Sequence, residues 1–386
     1  MEFSLFSASA VFPGALPHPV FIMTSLGPIF ADDLARVKPG DRLRLTISAQ
    51  TSDAAALAQA ALEARARGER VLVVCADPAD VPRLAQEMPW FEPKLDVRPL
   101  PDWETLPYDV LSPQEELVSE RLEALYRLTA PTGGADVLLT SAVTASQRLS
   151  PVSYIGANTF FFHQGEQISL TTLQKRLAAA GYANVKQVLA AGEFAVRGSI
   201  VDVFPMGSER PFRLDFFDDE IESIRWFDVD TQRSMESAEE IRLLPGHEFP
   251  VDPEALLAFR QRWRREFAGD PKKSIVYCDI EKEILPPGIE YYLPLFFDET
   301  AALTDYLPPN ARVFLLGDIE AALQAFGRDM ASRYKVLAAD PQRPALKLAL
   351  GLSGASFSKT FDELEMVQKL VPLFAKTGGD YSLSLD

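Results

Sequence analysis

The chain has 386 residues, of which 47% are hydrophobic and 24% charged, and this composition is typical of globular domains rather than of disordered segments. A single hydrophobic core rarely grows to this size, so we expect two or three domains. Because 38 Lys and Arg residues face 55 Asp and Glu residues, the net charge is −17. That charge excludes a sequence-blind nucleic-acid binder as the function of the whole chain, although a local basic patch stays compatible with it.

Cysteine and histidine are scarce and widely spaced. The two cysteines, Cys75 and Cys278, are too few for a disulfide framework or a thiolate zinc site, and none of the three histidines has a second His or Cys at metal-binding spacing. No apolar run approaches the ~18 residues of a membrane span, and the N-terminus lacks the basic region of a signal peptide. We therefore expect no metal, no membrane contact and a reduced, cytoplasmic location.

After a predicted tail over residues 1–28, the pattern alternates between strand and helix as far as residue 157. Short apolar strands separated by helices are typical of βαβ units on a parallel sheet, so an α/β domain is predicted. The predicted strands are 42–48, 70–76, 94–100 and 135–141, and the predicted helices are 52–68, 79–88 and 113–129.

From residue 158 to residue 244 the pattern changes to one helix followed by strands, which predicts a small α+β domain. Ser169 is the expected N-cap of the helix, and Asp218–Asp219 is the expected turn of a β-hairpin. The predicted helix is 169–183, and the predicted strands are 185–190, 194–204, 211–217, 220–227 and 239–244.

The remaining residues read as a mixed region, 245–370, followed by a tail or linker, 371–386. A strand is predicted at 311–317 and helices at 253–268, 318–334 and 359–376. In the basic run "RQRWRREF", Phe259, Trp263 and Phe267 share one helical face with arginines beside it. A solvated helix edge is favoured there over a nucleic-acid-binding stripe.

The first strand–helix junction, where a parallel α/β domain would hold phosphate, has no phosphate-binding loop. A working loop needs G-x-x-x-x-G-K-[ST], whose backbone N–H groups surround the phosphates. Here the junction reads "TISAQTSDAAALA", without glycine or lysine. We therefore expect no nucleotide cofactor and no catalytic residues.

The segment "GEFAVRGSIVDVFPMGSERPFRLDFFDDE" raises a question about the second domain. In strand 211–217, alternation puts three apolar side chains on one face and Arg213, Asp215 and Phe217 on the other, which is expected to face solvent. Arg197 lies on the preceding run, beside a glycine, Gly198, that could form a bulge. Phe217 is either covered by a loop at the hairpin end or, with the two arginines, part of a protein interface, and alternation alone does not decide between them.

Three motifs, "DWETLPYD", the long segment from Gly192 to Ser234 and "LLPGHEFP", resemble the N-terminal part of the bacterial transcription-repair coupling factor family (Mfd) from about residue 40 to about residue 370. A more distant similarity connects them to the helicase UvrB. The resemblance implies an α/β UvrB-like module, a helicase-type parallel-sheet domain (1a and 1b) without a phosphate loop, interrupted by a small α+β domain 2. The implied bounds are 29–157 for domain 1a, 158–244 for domain 2 and 245–370 for domain 1b.

The resemblance also implies a function. In this family the module docks the damage-recognition protein UvrA through domain 2, and the family's contact positions fall on Arg197, Arg213 and Phe217. It implies further that ATP and Mg belong to a translocase motor beyond residue 386, that RNA polymerase and DNA are bound by other domains, and that a C-terminal domain can mask the docking face. The stretch 100–128 is too short for UvrB's DNA-gripping hairpin. The alternative function is a nucleotide-dependent helicase or DNA-binding domain with a divergent phosphate loop.

Overall fold

The structure, a computed structural model, describes residues 42–47, 50–130, 134–347 and 380–385. The predicted tail at 1–28 and the predicted helix at 359–376 lie outside these residues. Within the described ranges, no helix has the length and apolar character needed to cross a membrane.

Within the described residues the first sheet has six strands, and every adjacent pair in it is parallel. Its strands are β1 (Arg42–Ile47), β2 (Val71–Cys75), β3 (Val97–Pro99), β4 (Val137–Ser141), β13 (Arg312–Leu316) and β14 (Asp380–Leu385). In space they follow the order β1-β14-β13-β2-β4-β3. The predicted parallel sheet is confirmed. We expected a tail or linker over 371–386, whereas the structure places β14 inside the sheet, between β1 and β13.

Helices cover both faces of this sheet, which is why β2 and β4 are buried along their whole length. Val71, Val73 and Cys75 contact one core, whereas Leu72 and Val74 contact the other. Burial raises the pKa of the Cys75 thiol to about 12, so it remains a neutral packing group. The helices here are α1 (Gln50–Ala66), α2 (Asp80–Phe91), α3 (Glu115–Thr129), α4 (Ala142–Ser146) and α5 (Val152–Ala157).

The second sheet also has six strands, and its neighbours are antiparallel except for the short parallel β6–β7 pair. Helix α6 (Leu170–Ala179) belongs to the same core, and Ser169 caps it by accepting from the Thr172 amide, as predicted. The strands are β6 (Ala183–Asn184), β7 (Glu193–Arg197), β8 (Ile200–Val203), β9 (Phe212–Phe217), β10 (Glu220–Phe227) and β11 (Ser234–Ala238), in the order β11-β10-β9-β8-β7-β6.

Two predicted strands of this region were wrong. Residues 194–204 form two strands joined by a turn rather than one, and 185–190 form none. The Glu193 carboxylate accepts from the amides of Leu189 and Ala190, so that these donors serve a loop instead of a ladder. Val188 is fully buried, and Val185 packs against the same small cluster.

The remaining elements are a two-stranded ribbon and a helical region. The ribbon pairs β5 (Phe160–His163) with β12 (Glu240–Leu243), and the helices are α7 (Pro253–Glu266), α8 (Ile275–Glu281) and α9 (Ile319–Leu337). Three 3-10 helices, Pro271–Lys273, Ile289–Leu295 and Leu303–Tyr306, complete it. Phe259 and Trp263 of α7 are buried and Phe267 packs against their core, which confirms the predicted apolar face.

A buried polar network around Glu248 joins two of the three motifs that carried the resemblance. Arg121 of α3 is fully buried and pairs with Glu248, 3% exposed, at 2.6 Å. The indole N–H of Trp103 donates to the same carboxylate at 2.9 Å, and the Arg121 guanidinium lies 4.9 Å from the Trp103 ring. Trp103 belongs to "DWETLPYD" and Glu248 to "LLPGHEFP", so these motifs meet inside the protein.

Candidate protein-docking site

The remaining motif, the segment from Gly192 to Ser234, presents one face of its strand β9 to solvent. Phe212, Leu214 and Phe216 are buried in the main core, whereas Phe217 exposes 69% of its surface. This alternation confirms the predicted faces of the strand. It also decides against the interpretation that a loop within the described residues covers the Phe217 ring.

Backbone pairing keeps the Phe217 ring on this face. Strands β9 and β10 pair Phe217 with Glu220 across the predicted two-residue turn, whose first residue, Asp218, has a positive φ of 51°. The amide of Phe216 donates to the Ser199 carbonyl, in the turn just before β8. A one-residue shift of register would bury Phe217 and expose Phe216, and the ladders on both sides of β9 oppose that shift.

Arg197 lies at the end of β7, and the glycine after it forms a turn rather than the expected bulge. Gly198, with φ of 64°, is the first residue of a two-residue connection in which Arg197 pairs with Ile200. The Arg197 side chain is 48% exposed and contacts the carboxylate of Asp202. Ile200 in turn pairs with Asp215 of β9, which lies two residues before Phe217 and therefore on the same face of the sheet.

Arg213 is held much more tightly than Arg197. Its side chain is only 14% exposed, and its Nε and Nη2 atoms donate to the two oxygens of Asp202 at 2.6 and 3.0 Å. The Nη1 atom donates to the Gln232 carbonyl at 3.2 Å and to the Ser234 hydroxyl at 3.1 Å. Hydrogen bonding to Asp202 raises the pKa of the Arg213 guanidinium, which lies 4.9 Å from the Phe227 ring.

The expectation that Arg213 projects freely into solvent is therefore wrong. All three of its nitrogens already donate within the protein, and Asp202, fully buried, is the shared acceptor of Arg197 and Arg213. Sequence reasoning missed Asp202, although a charged residue between Val201 and Val203 was a signal. Once the turn at Gly198 is recognised, the register places Asp202 opposite Arg213.

We expect Arg213→Ala to destabilise the fold, contrary to the small effect that a solvent-facing residue would have. The buried Asp202 carboxylate would keep only its contact with Arg197, and a lost hydrogen bond to a charged group costs about 2 kcal/mol. Thermal and denaturant unfolding of Arg213→Ala and of the half-exposed Arg197→Ala would measure this. Equal stability of the two variants would contradict the assigned contacts.

Two further features of the described chain bear on metal and phosphate binding. No group of three or more His, Cys, Asp or Glu residues there could hold a metal ion. Near the start of α1, the fully buried Asp53 pairs with Arg83 at 2.7 Å, and this hydrogen bond raises the pKa of Arg83. The first turn of the helix that would face phosphate in a nucleotide-binding domain thus contains a carboxylate with its own cation.

Comparison with known proteins assigns part of this region to a known family. Residues 160–249 match the family described as the UvrB interaction domain, and the predicted docking side chains lie within them. The predicted domain 2 spans 158–244.

Over longer ranges the chain is similar to proteins named transcription-repair-coupling factor. The protein from Escherichia coli K12 is 43% identical over 277 residues, 72% of this chain and 24% of the relative. That from Haemophilus influenzae is 45% identical over 254 residues (65% and 22%), and that from Bacillus subtilis 32% over 216 (52% and 18%). The chain thus spans about a quarter or less of the length of these relatives. The resemblance predicted from the motifs is confirmed.

Proposed function

We propose that this chain, as a relative of the transcription-repair-coupling factors, is a non-catalytic recruitment module that docks UvrA through the outer face of its second sheet. The observation that carries the proposal is the exposure of Phe217 on a hairpin whose register is held from both sides. A rigid aromatic side chain loses little conformational entropy on binding, and buried aromatic anchors dominate many protein interfaces.

Arg197 is the polar partner of this anchor. Asp202 orients its guanidinium through one nitrogen, and within the described residues the other nitrogens have no hydrogen-bond partner. An arginine that is held in place and half exposed can pair with a carboxylate on the partner at reduced entropic cost. The face therefore suits a partner surface with an apolar pocket and a nearby acidic side chain.

In this proposal Arg213 has an indirect role. Its donors are used by Asp202, Gln232 and Ser234, so that it fixes Asp202, which in turn orients Arg197. Variants of Arg213 would weaken docking through loss of order in the sheet, and this loss would accompany a fall in stability.

Direct binding tests the proposed function. The 386-residue chain, mixed with UvrA, should elute from size exclusion as a complex, and Phe217→Ala should elute separately from UvrA at the same concentrations. Docking through another face is indicated if wild type and Phe217→Ala give the same complex. If neither binds, the proposal fails.

We also expect the chain neither to bind nor to hydrolyse ATP. The junction "ISAQTSDAA" has no glycine-lysine loop, and its own Asp53 pairs with Arg83. Calorimetric titration with Mg-ATP should give only the heat of dilution. A micromolar dissociation constant would favour the alternative, a nucleotide-dependent domain with a divergent phosphate loop.

A further inference from the structure

We propose that the C-terminal half of α7 and the turn that follows it form a docking surface for the phosphate backbone of duplex nucleic acid. Residues 260–273 contain six Arg or Lys residues and two Asp or Glu residues, in a chain whose net charge is −17. We call this surface the basic patch; its cations are Arg260, Arg262, Arg264, Arg265, Lys272 and Lys273.

The fold collects several of these cations around a single carboxylate. Lys272 donates to Glu281, and an Arg260 nitrogen lies 3.7 Å from a carboxylate oxygen of the same residue. These cations lower the pKa of Glu281; the hydrogen bond from Lys272 contributes most, and Arg264 also contributes. Three cations therefore share this one carboxylate. Arg264 lies over the ring of Tyr277 at 5.4 Å, which leaves its guanidinium at the surface.

A second carboxylate is shared in the same way. Asp298 accepts from Arg262 at 2.6 Å, and this bond, with Arg265 nearby, lowers the pKa of Asp298. Arg265 and Lys273 are exposed and have neither a hydrogen bond nor an ion pair within the described residues. The basic patch therefore has donors that an external anion can use.

Local charge, rather than the total, decides binding here. At physiological ionic strength the Debye length is ≈ 8 Å, so most of the acidic surface is screened from a ligand on the patch. Side chains four residues apart on a helix lie about 6 Å apart, and Arg260 and Arg264 have this spacing along α7. Such a row suits a chain of regularly spaced phosphates, which arginine binds through its planar fork of donors.

The aromatic residues of this region favour a duplex over a single strand. Single-stranded nucleic acid is bound by stacking bases on exposed aromatic rings. Here Trp263 and Tyr277 are buried and Phe267 packs against the same core, so no ring of this cluster is free to stack. The patch offers charge without stacking, as is typical of contacts to the backbone of a duplex.

The test is fluorescence anisotropy with a labelled DNA duplex of about two helical turns (~20 base pairs) over a salt series. We expect weak binding whose affinity falls steeply with salt. The triple variant Arg264→Glu, Arg265→Glu, Lys273→Glu should bind at least about tenfold more weakly, with a salt slope smaller by roughly 2–3, since each neutralised phosphate contributes about 0.9. These three side chains are exposed, so the variant should melt like wild type.

The matched control is Lys175→Glu, Arg176→Glu, Lys186→Glu, which makes the same change in net charge at exposed positions of the second sheet region. It should bind DNA within about twofold of wild type, because screened charges far from the patch contribute little. Equal loss in both triple variants would show a general charge effect and overturn the proposal. So would the absence of DNA binding at low salt, or preferential binding of a polyglutamate peptide, which would assign the patch to an acidic protein partner.

Discussion

Arg121→Met is expected to lower the free energy of unfolding by about 3–5 kcal/mol, because it leaves the carboxylate of Glu248 buried without its cation. Among the described residues, Glu248 would retain only the hydrogen bond from Trp103. Chemical denaturation followed by tryptophan fluorescence measures the change, since Trp103 lies in the affected network. We also expect the contact between α3 and the "LLPGHEFP" segment to loosen, because this ion pair connects the two.

Two control variants separate the effect of leaving a buried charge unpaired from the effect of losing one positive charge. Lys282→Met removes an exposed cation that lies 3.7 Å from Asp279 and should change stability by less than about 0.5 kcal/mol. The double variant Arg121→Met, Glu248→Gln should recover part of the loss, because no charge then remains buried and the amide oxygen can still accept from Trp103. If Arg121→Met and Lys282→Met changed the free energy of unfolding equally little, Arg121 and Glu248 would not form the buried ion pair described here.

Phe217→Ala is expected to weaken UvrA binding by at least about 2 kcal/mol, roughly thirtyfold, because it removes the only large apolar side chain that β9 exposes. Isothermal titration of UvrA with wild type and variant measures the ratio. The control is Phe161→Ala, a phenylalanine of β5 that is 42% exposed and belongs to a different sheet. An equal effect of both variants would contradict a contact centred on Phe217.

Stability distinguishes the two neighbouring rings of β9. Phe216 is 6% exposed and belongs to the main core, so Phe216→Ala should cost about 3 kcal/mol through the cavity it leaves. Phe217→Ala should leave the melting temperature close to that of wild type. If Phe217→Ala melted as early as Phe216→Ala, its binding defect would reflect unfolding and not a lost contact.

Local pattern was sufficient to predict the parallel sheet and the faces of β9. The apolar runs of β2 and β4 and the alternation from Phe212 to Phe217 depend on neighbours in sequence, and burial follows them directly. The turn at Asp218 was also predicted from residues that are neighbours in sequence.

Long-range contacts could not be predicted in the same way. Arg213 was expected in solvent because alternation gives the face of a residue but not what covers that face, and here Asp202, Gln232 and Ser234 do. The pair of Arg121 with Glu248 joins residues 127 positions apart. β14 becomes part of the first sheet through neighbours, β1 and β13, that are distant in sequence.

The most direct test of the docking face is site-specific photocrosslinking. One variant carries a photoreactive benzoylphenylalanine at position 217, and a second variant carries it at position 161. Each variant is irradiated in the presence of UvrA. A covalent adduct with UvrA from position 217, and none from position 161, is the result that direct contact predicts. Efficient crosslinking from position 161 with none from position 217, in a chain that still binds UvrA, would contradict the docking face proposed here.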